Sequence, residues 1–141
     1  MGFLFALATF AQTDITWEML GEIRYEKEYL EEYDLDYDKP IFSQELKEMD
    51  QKEVSITGFL LPIDVAGNYF ILSKFPYSSC FFCSTKDNKA GPETVVELQI
   101  KKYHDWFQMD DILTFTGKLV LNNSDVNKLC YILENAQVTA E

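Results

Sequence analysis

Histidine and cysteine are scarce in this chain of 141 residues: one His and three Cys, beside four Pro and six Gly. A single histidine leaves the His-rich clusters of metallohydrolases without ligands. Gly-x-Ser-x-Gly is absent, as is any glycine-rich phosphate loop, so serine hydrolysis and nucleotide binding lack their characteristic residues. Basic residues are also few, 12 Lys and Arg against 24 Asp and Glu, for a formal charge of −12. Such a field repels phosphate backbones and anionic lipid heads, which argues against nucleic acid as a partner. The apolar run from Phe3 to Ala11 falls far short of the roughly 20 residues that cross a bilayer, so no transmembrane span is expected.

What is present begins with that run. A short hydrophobic segment closing on small residues (Ala8, Thr9, Phe10, Ala11, then Gln12) has the form of a secretory signal's core and cleavage region. It lacks the basic leader that normally precedes one. Residues 1–12 are read as a signal peptide, and the expected location is the periplasm or outside the cell. The remaining length suits one domain with one core.

Residues 13–52 are expected to form a helical and coil extension packed on a β-barrel that occupies 53–141. Tyr25, Tyr29 and Tyr33 recur every fourth residue, which places them on one face of a helix. Seven carboxylates alternate with the tyrosines between Glu26 and Asp38. No Asp-x-Asp-x-Asn-Gly loop accompanies them, so they read as a solvated acidic surface rather than a calcium site. Lys39-Pro40 ends the stretch, and Ser43 has the chemistry to cap a short helix over 44–49.

From Glu53 the hydrophobic period falls to two. Val54 to Leu61, closed by Pro62, is a first strand, and Ala66-Gly67-Asn68 turns the chain into a second, Tyr69–Ser73. Thr94–Ile100, Asp111–Leu121 and Leu129–Ala136 make three more. Gly58 and Gly117 lie inside the first and fourth strands, where a barrel strand must bend. The fold class is therefore mainly β: a small five-stranded OB-like Greek-key barrel with a helical or coil N-terminal extension. Lys101 to Asp110 is too short for more than a turn or two of the helix usual between strands three and four.

The chemistry concentrates at Cys80-Phe81-Phe82-Cys83, followed by Ala90-Gly91-Pro92-Glu93. Two thiols at this spacing clamp a soft metal ion or close on each other as a disulfide. Cys80 and Cys83 supply half of a zinc tetrahedron, so other ligands must come from elsewhere. Glu93 is the foremost candidate, ahead of the lone His104, which reads as a surface residue, and Cys130, which reads as a small buried group in a strand. Redox catalysis needs a thiolate at a helix start or beside a cation, and Ser84 to Lys89 does not open a helix. Cys-x-x-Cys-His haem attachment is excluded by Ser84. Glu93 and Glu97 as a catalytic carboxylate pair would lie on one face of a strand but well apart, and outward polar positions explain them equally well.

Three stretches together carry a resemblance: Gly58-Phe59-Leu60-Leu61-Pro62-Ile63, Ser73-Lys74-Phe75-Pro76-Tyr77-Ser78-Ser79-Cys80-Phe81-Phe82-Cys83, and Ala90-Gly91-Pro92-Glu93-Thr94-Val95-Val96-Glu97-Leu98. They resemble an uncharacterised family of exported bacterial proteins whose segment reads Cys-Phe-Phe-Cys-Gly-Gly-Ala-Gly-Pro-Glu within an OB-like domain of unknown function. The likeness covers nearly all of the mature chain. Here Ser84 to Lys89 replaces the two glycines with a longer, more polar loop. The resemblance implies export and an OB-like fold, and brings no reaction with it.

The expectation is a small exported binding protein, more a binder than an enzyme, that holds or handles a metal, with zinc possible, at Cys80, Cys83 and Glu93. The alternative is an interaction module stabilised by a Cys80–Cys83 disulfide. That module would contact another envelope protein through its barrel or its acidic N-terminal surface, without metal or catalysis.

Overall fold

The computed structural model describes residues 13–64, 69–76 and 91–140. Strands β1 (Thr13–Asp14), β2 (Ile23–Leu30) and β3 (Leu35–Phe42) precede β4 (Glu53–Asp64), β5 (Tyr69–Ser73), β6 (Val95–Ile100), β7 (Ile112–Leu121) and β8 (Tyr131–Ala140). Helices among the described residues are few and short: α1 (Trp17–Leu20), α2 (Gln44–Met49) and a 3-10 turn at Pro92–Thr94. The signal-like residues 1–12, the turn Ala66-Gly67-Asn68, and Cys80 with Cys83 lie outside the described residues.

Five strands close on themselves. β4 pairs with β5, β5 with β6, β6 with β8, β8 with β7, and β7 with β4 again. Only the β6–β8 pairing within this ring is parallel. This is the strand order of a small Greek-key barrel of the OB type, and it places the inward residues Leu60, Leu72, Val96, Leu98, Phe115 and Leu133 in one core. A closed ring leaves no free edge among the barrel strands.

One strand, β4, belongs to both halves of the ring: its early residues pair with β7 and its later ones with β5, and Phe59 pairs with both Ile112 and Ser73. Gly58 sits at this changeover. A Cβ there would stand 2.6 Å from the Ser73 carbonyl oxygen and 2.8 Å from the Trp17 ring, so only glycine admits the approach. Gly117 plays the same part where β7 shifts register against β8: a Cβ there would stand 2.6 Å from the Glu134 carbonyl oxygen. Pro62 does not end the strand as its chemistry suggested. The strand runs on to Asp64, and the proline is accommodated where the β4–β5 register shifts.

No helix joins β6 to β7. Its place is taken by turns that carry Phe107 inward against Phe70 and Phe115, with Tyr103, His104 and Trp106 packed round its ring. Near the start of β8 the core receives the N-terminal segment. Leu20 and Leu46 are fully buried, Phe42 leans on Tyr131, and the Tyr131 hydroxyl donates to the Leu20 carbonyl at 2.6 Å. Thr16 and Ser43 cap α1 and α2 through their hydroxyls, as expected for Ser43.

The expected helix over Tyr25–Tyr33 is absent. β2 and β3 form an antiparallel ribbon that pairs only with itself, from Ile23 opposite Phe42 to Leu30 opposite Leu35. A spacing of four residues lies on one face of a strand as well as of a helix, and tyrosine favours the strand. Asp34, at φ 49°, makes the tight return between the two strands.

Candidate functional site

β5 and β6 are neighbours, and past their last paired residues the Lys74 N–H donates to the Thr94 carbonyl at 2.9 Å. The chain therefore leaves the barrel at Lys74 and re-enters it at Gly91 side by side, with residues 77–90, and with them Cys80 and Cys83, between. The point of return is built from four residues. Pro92 opens the 3-10 turn, where its missing N–H costs nothing, and both the N–H and the hydroxyl of Thr94 donate back to the Gly91 carbonyl, at 3.0 and 2.7 Å.

In this turn Glu93 folds its carboxylate back over Gly91. A Cβ at residue 91 would meet Oε1 at 2.7 Å and Oε2 closer still, so glycine is required if the carboxylate is to lie there. The Tyr25 hydroxyl of β2 donates to Oε2 at 2.8 Å and fixes it. Oε1 has no hydrogen-bond partner among the described residues. Behind the turn the Cys130 thiol donates weakly to the Pro92 carbonyl, at 3.7 Å. A cleft of about 140 Å³ opens beside these groups, with Tyr25, Tyr37, Pro40, Pro92, Leu129 and Cys130 among its walls.

The electrostatics follow from half-burial beside one carboxylate. Burial first, then the hydrogen bond to Glu93 and its charge, raise the Tyr25 hydroxyl above the ordinary phenol range. Cys130 is buried, and its thiol is pushed up to about 12, by desolvation first; the Glu93 charge adds to this and backbone hydrogen bonds oppose it. Tyr131 is raised chiefly by burial, then by Cys130 and Glu93. A thiol so placed is protonated at neutral pH, which makes Cys130 an inert wall of the cleft rather than a nucleophile.

Glu93 is the one residue of the expected site that lies within the described structure, and it is a half-buried carboxylate held by Tyr25. His104 is elsewhere. It lies half-buried past the far end of β6, tilted against Trp106 and edge-on to Phe107, with ring centroids 5.3 and 5.2 Å away. The six residues of β6 put roughly 20 Å of strand between it and Glu93. Glu97 faces outward from the barrel, as expected, but is covered there: it is 6% exposed, accepts from the Tyr69 hydroxyl at 3.3 Å and sits beside the Gln99 amide. It shares the outer side of β4, β5 and β6 with a small second cluster of Leu61, Ile71 and Val95. No group of three or more His, Cys, Asp or Glu side chains that could hold a metal occurs among the described residues. Tyr25 was missed as a partner of Glu93, since no spacing in the sequence joins residues 68 positions apart.

No helix among the described residues is long and apolar enough to cross a membrane. No family model matches the chain, and no curated protein matches it. Among solved structures it is similar to the crystal structure of a DUF3299 family protein from Pseudomonas aeruginosa PAO1, at 15% identity and a TM-score of 0.49, over 93% of this chain and 97% of that one. The barrel rests on the strand pairings themselves.

Proposed function

We propose that this is a small exported binding protein that takes up one thiophilic metal ion, zinc the first candidate, through Cys80, Cys83 and Glu93. The observation that supports the reading is the carboxylate of Glu93. It is folded over Gly91, held by Tyr25 and carries one unpartnered oxygen among the described residues, at the point where the chain returns from the Cys-x-x-Cys segment. Thiolate pairs and a single carboxylate form a donor set that zinc accepts. Tyr25 is then the residue that orients the carboxylate, a role whose removal typically weakens metal binding 10–100-fold. When bound, the ion would tie the loop to the barrel. The residues of this chain supply position: glycine gives the room, proline starts the turn, and tyrosine sets the carboxylate plane.

The test is the native mass of the mature protein, exported by a bacterial host and purified without reductant or chelator. The expected spectrum carries one metal ion, lost in Cys80→Ser and weakened in Tyr25→Phe and Glu93→Gln. A mass lower by two hydrogens and without an ion would make Cys80 and Cys83 a disulfide and overturn the metal reading.

A further inference from the structure

The near half of the β2–β3 ribbon serves the core and the Glu93 turn through Phe42 and Tyr25, and its distal half is the part that both leave unused. Isolated two-stranded ribbons are marginal in water, and this one is paired with no barrel strand. Its distal half carries Glu28, Glu31, Glu32, Asp34, Asp36 and Asp38 against the single Lys27. Among the described residues the one ion pair made by these carboxylates is Glu28 with Lys39, at 3.6 Å and exposed. Large apolar groups stand between the charges: Tyr29 is 56% exposed, Tyr33 47% and Leu35 42%.

From this we infer that the β2–β3 ribbon is a docking surface for a basic polypeptide, one that presents arginine or lysine side chains along an extended segment. Charge and shape decide among the occupants. A divalent cation needs oxygens converging on one point, and no group of three or more of these carboxylates that could hold a metal occurs among the described residues. An apolar partner would have to desolvate the carboxylates around the tyrosines without pairing them. Anionic surfaces are repelled. A basic segment meets both features at once: its cations pair with the carboxylates, and guanidinium groups stack on the exposed tyrosine rings. Exposed tyrosine set within charged residues matches the composition of an interface core and its rim. The inference is independent of the metal reading, since none of these residues touches Glu93.

Calorimetry of the full mature chain with oligoarginine and oligolysine peptides of the ribbon's length tests it. Both peptides are expected to bind, oligoarginine more tightly, with affinity falling as salt rises. The triple variant Glu31→Gln, Glu32→Gln, Asp36→Asn should lose roughly tenfold in affinity. Tyr33→Ala should weaken oligoarginine more than oligolysine. A control triple with the same net charge, Glu48→Gln, Glu53→Gln, Asp105→Asn, alters other exposed carboxylates and should bind as the parent does. If both triples weaken binding equally, the peptides respond to net charge alone and the proposal fails. It fails too if neither peptide binds.

Discussion

Asn122 shows how much structure one polar side chain can hold. It is buried at the end of β7, where the chain leaves for the loop to β8. Its amide nitrogen donates to the carbonyls of Asp125, Lys128 and Leu129 at 2.8, 3.3 and 3.1 Å, while its oxygen accepts from the N–H groups of Ser124 and Asp125. Both halves of the amide are needed, which no carboxylate or hydroxyl can copy. Asn122→Ala leaves several of those backbone groups without their partner and is expected to cost about 2–3 kcal/mol. Asn122→Asp does not rescue, because it points a carboxylate at three carbonyl oxygens. Urea midpoints of the two variants check this; an aspartate variant as stable as the parent would show that water serves the loop equally well. Glu93 obeys the same logic: its value as a ligand comes from the glycine beneath it and the tyrosine beside it.

At the scale of elements, the five barrel strands were legible because a half-buried strand writes its alternation directly into the chain. Tyr69–Ser73 comes out with its expected bounds although it is buried along nearly its whole length and was marked by the turn before it rather than by alternation, and the close backbone approaches fall at Gly58 and Gly117. The N-terminal ribbon was not legible in this way. Tyr25, Tyr29 and Tyr33 satisfy helix and strand periodicities together, and β2 is exposed along nearly its whole length, so no buried face betrays the period. What could have decided it was the β preference of tyrosine with an Asp-centred return at Asp34. The candidate site was half legible: Glu93 follows from its neighbourhood to the Cys-x-x-Cys motif, whereas Tyr25 reaches it only through the fold. The missing helix between β6 and β7 has a measurable substitute. Phe107 closes the core there against Phe70 and Phe115, so Phe107→Ala should cost about 3–5 kcal/mol and Phe107→Leu under half of that. Denaturant unfolding followed through the fluorescence of the adjacent Trp106 measures both. Equal stability of the alanine variant and the parent would mean that the turns pack on the core without filling it.

For the molecule as a whole, the groups that resist ionisation lie together where the N-terminal segment meets the start of β8. Cys130, Tyr131 and Tyr25 are all raised, each chiefly by burial, so the fold binds their protons more tightly than the unfolded chain does. With more protons bound in the native state, stability must fall as pH rises. For Cys130 the contribution is whole below its unfolded value of 9.0 and is lost between there and about 12. At pH 10.5 the thiol alone should therefore cost about 2 kcal/mol, some 1.4 kcal/mol for each pH step above that value. The overall charge of −12 at pH 7 works in the same direction, since each further anion is added to a molecule that already repels it. Cys130→Ala separates the two effects. It removes the thiol's titration, leaves the net charge at neutral pH as it was and opens only a small void. Urea midpoints at pH 8 and pH 10.5 should fall for the parent by clearly more than for Cys130→Ala, the difference appearing only above pH 9. An identical alkaline loss in both proteins would place the sensitivity in the tyrosines and the general repulsion, and would mean that the thiol reaches solvent more readily than its burial implies.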